Sequence, residues 1–254
     1  MKLGVSYNVF DGEELLEGSI KQIRNLVDYV SVVYQTVSNF GNKCDENLIN
    51  LLNKLKSDGL IDDLYEYFPN LSNGPHYNEL EKRNIGLELS KKNGCTHHMS
   101  MDSDEYYLSN QFELLKNKVI EGDYDSSFCQ MISYYKSWEY RLDPPEDYYV
   151  SLIYKIYNDK NFILKAPSPV LVDQTRRIMG IKKPLIFKRN EIEMHHGSYI
   201  RKEIKSKLLN STAIGLYRNQ INNIIKDYNN WRYPELVNWA NNFLKVIKVK
   251  NLFE

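Results

Sequence analysis

Through the first hundred residues the apolar positions switch repeatedly between short runs and helical spacing. Residues 3–7 read as a short buried strand, closed by the segment Asn8-Val9-Phe10-Asp11-Gly12. Leu16, Ile20, Ile23 and Val27 then recur on one helical face, which predicts a helix over 13–27 with Asp11 placed to cap its first turn. A β-branched run over 29–34, carried by Val30, Val32 and Val33, predicts a second strand that ends in polar residues 35–39. Leu48, Leu51, Leu52 and Leu55 predict a helix over 45–57, and 64–68 a third strand stopped by Pro69. Residues 75–93 read as a third helix ended by Gly94. Residues 95–101 then read as a fourth strand running into Asp102-Ser103-Asp104-Glu105.

Strands separated by helices of this length imply βαβ units and a mostly parallel sheet. Open sheets of that kind bind ligands at the carboxyl ends of their strands. The polar clusters 8–11, 35–39 and 102–105 all fall at such ends. After residue 108 the pattern changes. Phe112, Leu115 and Val119 mark a helix, and two aromatic strand-like segments, 127–141 and 148–157, flank Asp143-Pro144-Pro145-Glu146. That arrangement predicts an antiparallel hairpin with a proline-stiffened turn. Beyond 213, Ile221, Ile224, Ile225 and Tyr228, then Leu236, Ala240, Phe243 and Ile247, predict a helical tail. The expected organisation is an α/β domain over 1–213, with halves 1–108 and 109–213, and a helical C-terminal extension over 214–254.

Composition narrows the function classes. Lys plus Arg number 33 and Asp plus Glu 33, so no basic surplus exists to displace counterions from nucleic acid. Hydrophobic residues at 42% supply a core and exclude general disorder. No apolar run approaches the ~20 residues that cross a bilayer. The N-terminus enters a strand directly, and Cys44, Cys95 and Cys129 lie far apart. These features set the expectation of a reducing, cytoplasmic location.

The chemistry concentrates at residues 101–105. Two carboxylates two residues apart at a strand end can both approach one hard cation. An ion held there can bridge a diphosphate and neutralise charge on a departing nucleoside diphosphate. Upstream, Lys82-Arg83-Asn84-Ile85-Gly86 lies in the helix whose following strand delivers this Asp-x-Asp. With those residues the chain resembles a family 2 glycosyltransferase of the GT-A type, whose pattern is an Arg-Asn-x-Gly helix, a strand, then Asp-x-Asp. Ser6-Tyr7-Asn8, followed by Leu15 and Ile20, resembles that family's opening strand, turn and helix. The resemblance covers residues 3–108 well and the remainder loosely.

The resemblance implies a nucleotide-sugar donor, UDP favoured, lying across the strand ends, and a glycan or glycoconjugate acceptor. Tyr7, Asn8, Asp11 and Gln35 would line the base and ribose, with Ser103 beside them. Arg83 would lie close to the diphosphate, and Arg201 and Lys205 fall at spacings that place cations against it. A late histidine would join Asp102 and Asp104 around Mn2+ or Mg2+; His196 is preferred to its neighbour His195. An inverting transfer needs a carboxylate base. Glu146-Asp147 matches the family's acidic letters but sits in a turn, so Asp173, beside Arg176 and Arg177, is preferred.

The hairpin aromatics Tyr134, Tyr135, Trp138, Tyr140, Tyr148 and Tyr149 could stack acceptor sugars, form core or make a homodimer seam. His97 and His98 read as structural. Two other classes remain open: a sugar nucleotidyltransferase, which should carry a glycine-rich phosphate loop after its first strand, and a non-catalytic nucleotide- or sugar-binding module.

Overall fold

The computed structural model describes residues 1–239 and 242–253. Its first half alternates strictly: β1 Leu3–Val9, α1 Glu13–Ile23, β2 Tyr29–Tyr34, α2 Leu48–Ser57, β3 Asp63–Glu66, α3 Pro75–Lys92 and β4 His97–Asp102. All three pairings in this half are parallel, giving the order β3-β2-β1-β4. β1 is central and every one of its residues is buried, so its continuous apolar run reflects covering on both faces. The strand extends to Val9, two residues past the sequence expectation, so the first loop begins at Phe10. Asp11 does not cap α1. Gly12, at φ 76°, occupies the cap position, and no side chain caps the helix.

α3 departs from the usual amphipathic logic. It buries Asn78, Lys82, Arg83 and Ser90 toward the protein rather than an apolar stripe. Gly86 lets it approach β1: a Cβ there would fall 2.5 Å from Ser6 Cβ and closer still to its Oγ. α3 also buries Leu87, in an apolar cluster with Phe128 and Phe162.

The second half comprises β5 Glu105–Tyr106, α4 Ser109–Glu121, β6 Ser126–Tyr135, β7 Ser137–Asp143, β8 Tyr149–Lys155, β9 Pro184–Ile186 and β10 Glu193–Tyr199. It ends with α5 Ile204–Asn210, α6 Ile214–Tyr217, α7 Ile221–Asn230, β11 Val237–Trp239 and β12 Asn242–Lys248. Here the hairpin expectation needs correction. The aromatic segment 127–141 breaks at Lys136, φ 70°, into β6 and β7, which pair with each other. The two aromatic segments do pair antiparallel, but through β6 and β8. β8 takes the opposite edge of β6 and also pairs with β4, so the 143–146 connection crosses over β6 instead of closing a tight hairpin.

The tail is helical through α6 and α7 but not beyond. Of the residues whose spacing suggested a further helix, Phe243 and Ile247 lie in β12, which pairs antiparallel with β7. Ala240 lies outside the described residues. Val237 and Val246 are the positions buried there, packed with Tyr135, Leu142 and Trp231 in a second apolar cluster. An open edge on β7 offered hydrogen bonds to this segment, and pairing overrode the helical spacing. Among the described residues one mixed sheet of twelve strands results. No described helix is long and apolar enough to cross a membrane.

Candidate active site

Asp102 ends β4 opposite Asn8 of β1, which places the Asp-x-Asp at the carboxyl edge of the parallel strands. The chain turns through Ser103 and Asp104 into β5. That short strand pairs with β10, setting His196 across from Glu105 and His195 across from Tyr106. Alternation then separates the two histidines. His196 Nε2 lies 3.8 Å from Asp104 Oδ1. His195 faces the other way: its Nδ1 is 2.8 Å from Tyr134 Oη, and its ring meets Phe253. The structure therefore removes His195 from the expected metal set.

Each carboxylate is held by cations. Asp102 Oδ2 accepts from Arg83 Nη2 at 3.2 Å and from Arg176 Nη2 at 2.8 Å. Asp104 Oδ2 accepts from Arg201 Nη2 at 2.6 Å and Lys207 Nζ at 3.2 Å. Glu105, buried beneath them, receives Arg176 on both oxygens, one of them at 3.1 Å. Burial works against the Asp102 charge, but Arg83 and Arg176 outweigh it and hold this carboxyl well below the usual range. Burial likewise opposes the Asp104 charge, and Lys207 and Arg201 overcome it. For Glu105 burial wins, and its pKa is pushed up to about 7 despite Arg176. His196 is lowered chiefly by burial, which favours the neutral ring.

Two adjoining cavities meet at this cluster. One, of about 270 Å³, is lined by Asn8, Phe10, Asp11, Gln35 and Ser103 toward the first strands and by Arg83, Asp104, His196 and Lys207 opposite. The other, of about 490 Å³, is walled by Tyr148, Tyr149, Met131 and Arg177. Asp102, Asp173, His196 and Thr212 line both. A separate cavity of about 620 Å³ beside β3 and α3 is lined by Asn84 and Ile85 of the Arg-Asn-x-Gly segment but by none of the expected donor, metal or base residues.

Most expected residues converge here, and several do not. Asn8, Asp11, Gln35, Arg83, Asp102, Ser103, Asp104, Asp173 and His196 share the smaller cavity. Tyr7 does not: it is wholly buried in the core with its hydroxyl 3.1 Å from Ser19 Oγ, so it cannot stack a base. Phe10, three residues on, is the aromatic that reaches the cavity. Lys205 is exposed and lines neither cavity, whereas Lys207 turns inward from α5. Arg201 reaches Asp104 rather than the open space. Glu146 and Asp147 line neither cavity; Asp147 accepts from Gln130 at 2.6 Å. Of the aromatics offered as an acceptor platform, only Tyr148 and Tyr149 line the larger cavity. Tyr134, Tyr135 and Trp138 pack among rings. In the sequence Arg176 stands out only as a neighbour of Asp173. Its signal was position alone, since no motif marks a central ion-pairing arginine.

Among the described residues no set of three or more His, Cys, Asp and Glu groups as a metal cage. The His196 ring and a carboxylate oxygen of Asp104 nevertheless face each other at 3.8 Å, and among the described residues His196 Nδ1 has no hydrogen-bond partner. Two protein donors of this chemistry suit an ion whose remaining positions come from phosphate oxygens and water.

The strand order β3-β2-β1-β4, with Asp102 closing β4 at the carboxyl edge, is that of a GT-A-type α/β fold. No protein-family model matches the chain, and no curated protein sequence does so either. Solved structures do. S. aureus TarS residues 1–349 is similar with a TM-score of 0.50 at 14% identity, covering 83% of this chain and 66% of that one. The same fragment in complex with UDP gives 0.50 at 13% identity with the same coverage. The longer S. aureus TarS chain gives 0.50 at 14% identity, covering 91% of this chain and 43% of its own. The chain thus spans 43–66% of these TarS chains, and at this identity the likeness establishes the fold.

Proposed function

We propose that the protein transfers a sugar from a nucleoside-diphosphate donor, of the UDP type, to a hydroxyl of a glycan-type acceptor. The observation that carries this reading is the junction of the two cavities. One side offers polar acceptors and cations for a donor, the other an aromatic-walled space, and Asp173 stands between them. Among the described residues, Asn8 Oδ1 and Gln35 Oε1 are buried without partners on the donor side. Such orphan acceptors suit the N–H and hydroxyl groups of a base and ribose. The likeness to TarS, which has been solved with UDP, agrees with a uridine donor.

Asp104 and His196 would hold Mn2+ or Mg2+, which would supply charge neutralisation for the leaving diphosphate. Asp102, pinned by Arg83 and Arg176, is left to accept from donor-sugar hydroxyls. Asp173, kept near Arg83 at 3.8 Å, takes the proton from the acceptor hydroxyl. The acceptor oxygen bonds to the anomeric carbon as the bond to the diphosphate breaks, which inverts that centre. The nucleotidyltransferase alternative lacks its phosphate loop. Gly12 is the sole glycine of the β1–α1 turn, and a Cβ there would meet Arg201 and lie 2.5 Å from Ser103 Oγ.

The test is calorimetric titration with UDP, with and without Mn2+, beside a UDP-sugar turnover assay. UDP should bind more tightly with the ion, and Asp104→Asn should remove that gain. Asp173→Asn should retain UDP binding and lose about 10²–10⁴-fold in transfer. If UDP does not bind under either condition, the donor reading fails.

A further inference from the structure

Four cations at the site are spoken for. Arg83, Arg176, Arg201 and Lys207 each lie against a carboxylate. Arg177 is different. Its one side-chain hydrogen bond runs from Nη2 to the Val172 carbonyl at 3.3 Å, and its Nε is buried without a partner. Among the described residues no carboxylate lies within ion-pair distance of it. It nevertheless lines the larger cavity beside Tyr148 and Asp173.

Backbone geometry explains the separation of the two neighbouring arginines. Arg176 closes a short helical turn begun at Asp173 and points into the Asp102–Glu105 cluster. Arg177 follows in extended conformation, φ −89° and ψ 139°, and its side chain leaves in another direction. Elsewhere on that wall Arg176 is engaged by Asp102 and Glu105, and Asp173 accepts from the Thr175 N–H at 2.8 Å and lies within ion-pair distance of Arg83, not of Arg177. The buried Nε of this half-buried side chain is a donor whose desolvation no described group returns. A planar fork of donors is the group best matched to a phosphate or carboxylate.

We infer that the acceptor carries an oxyanion, a phosphate or carboxylate, close to the attacked hydroxyl, and that Arg177 docks it while Asp173 takes the hydroxyl proton. This rests on the larger cavity being the acceptor side of the proposed transferase. Arg177 would then select among acceptors and not act on the donor.

The test uses a matched trio of methyl glucoside, methyl glucoside 6-phosphate and methyl glucuronide, titrated into protein saturated with UDP. At least one anionic glycoside should bind about tenfold or more tightly than the neutral one. Arg177→Met should abolish that preference, and Arg177→Lys should restore part of it, with UDP affinity unchanged in both as the control for folding. Phosphate favoured over carboxylate, or the reverse, identifies the source of the oxyanion. Equal affinities for all three, no binding of any, or a preference that survives Arg177→Met overturns the assignment. Failure of the donor reading is separately visible as loss of UDP binding in the unaltered protein.

Discussion

Arg176→Met isolates the interaction on which the site's geometry depends. Arg176 is 3% exposed and ties Asp102 Oδ2 at 2.8 Å, Glu105 Oε2 at 3.1 Å and the Ser100 carbonyl at 3.2 Å. Methionine keeps much of the volume and none of the donors. Asp102 retains Arg83, but Glu105, itself 3% exposed, loses the guanidinium that bonds both its oxygens. Removing one partner from a buried pair costs about 3–5 kcal/mol, which in a domain of this size lowers Tm by roughly 6–20 °C. Calorimetry at pH 8 reads this directly.

The pH dependence carries a second signature. Burial raises the Glu105 pKa from 4.5 to about 7. Across that window the folded protein holds a proton that the unfolded chain has released, so this group's contribution to stability declines as pH rises. Without Arg176 the folded-state value climbs further, and the decline continues above 7. The deficit of the variant should therefore be larger at pH 8 than at pH 5. Adding Glu105→Gln to it should recover more than half of the loss at pH 8, because the uncompensated charge is gone. A cost below about 1 kcal/mol, or the same deficit at both pH values, would refute the reasoning.

Three further outcomes follow from the packing. Tyr7→Phe removes a buried hydroxyl bonded to Ser19 at 3.1 Å and should cost about 1 kcal/mol while leaving UDP affinity within about twofold; a tenfold loss would return Tyr7 to the donor site. Gly86→Ala should destabilise by about 1–3 kcal/mol and reduce turnover by displacing Arg83 on the same helix; Ser6→Gly in the same chain should restore both, and no recovery would mean that the contact with Ser6 is not the cause. Burial lowers the His98 pKa from 6.5 to about 3, so the folded protein keeps this ring neutral where the unfolded chain protonates it. That stability is full above pH 6.5 and is lost on acidification toward 3, at up to about 1.4 kcal/mol per pH unit. His98→Gln should flatten the slope of unfolding free energy between pH 6 and 4, and an unchanged slope would show that the ring is not the titrating group.

Local pattern carried the parallel half of the fold a long way. Continuous apolar runs, leucines at helical spacing and glycine stops report neighbours within a few residues, and β1 to β4 depend mostly on such neighbours. The Asp-x-Asp was legible for the same reason, since it directly follows a buried strand. The choice between histidines was not. His195 and His196 are chemically identical in the sequence, and only pairing of β10 with β5, far earlier in the chain, turns one toward Asp104 and the other toward Tyr134. Lys205 and Lys207 differ likewise only by which side of α5 meets the site.

Tyr7 shows the limit from another direction. Its identity suits stacking, but β1 runs on past it, and burial on both faces encloses the ring. In the tail, the spacing of Leu236, Phe243 and Ile247 suits a helix, and the free edge of β7 converts the segment carrying the last two into a strand. Arg176 and Arg177 are adjacent in sequence and separated in role by one change of backbone direction. Sequence by itself determined where strands and helices of the first half form and where opposed charges collect. Tertiary structure decided which of those charges meet, because ion pairing and sheet pairing act through space over distances that chain periodicity does not encode.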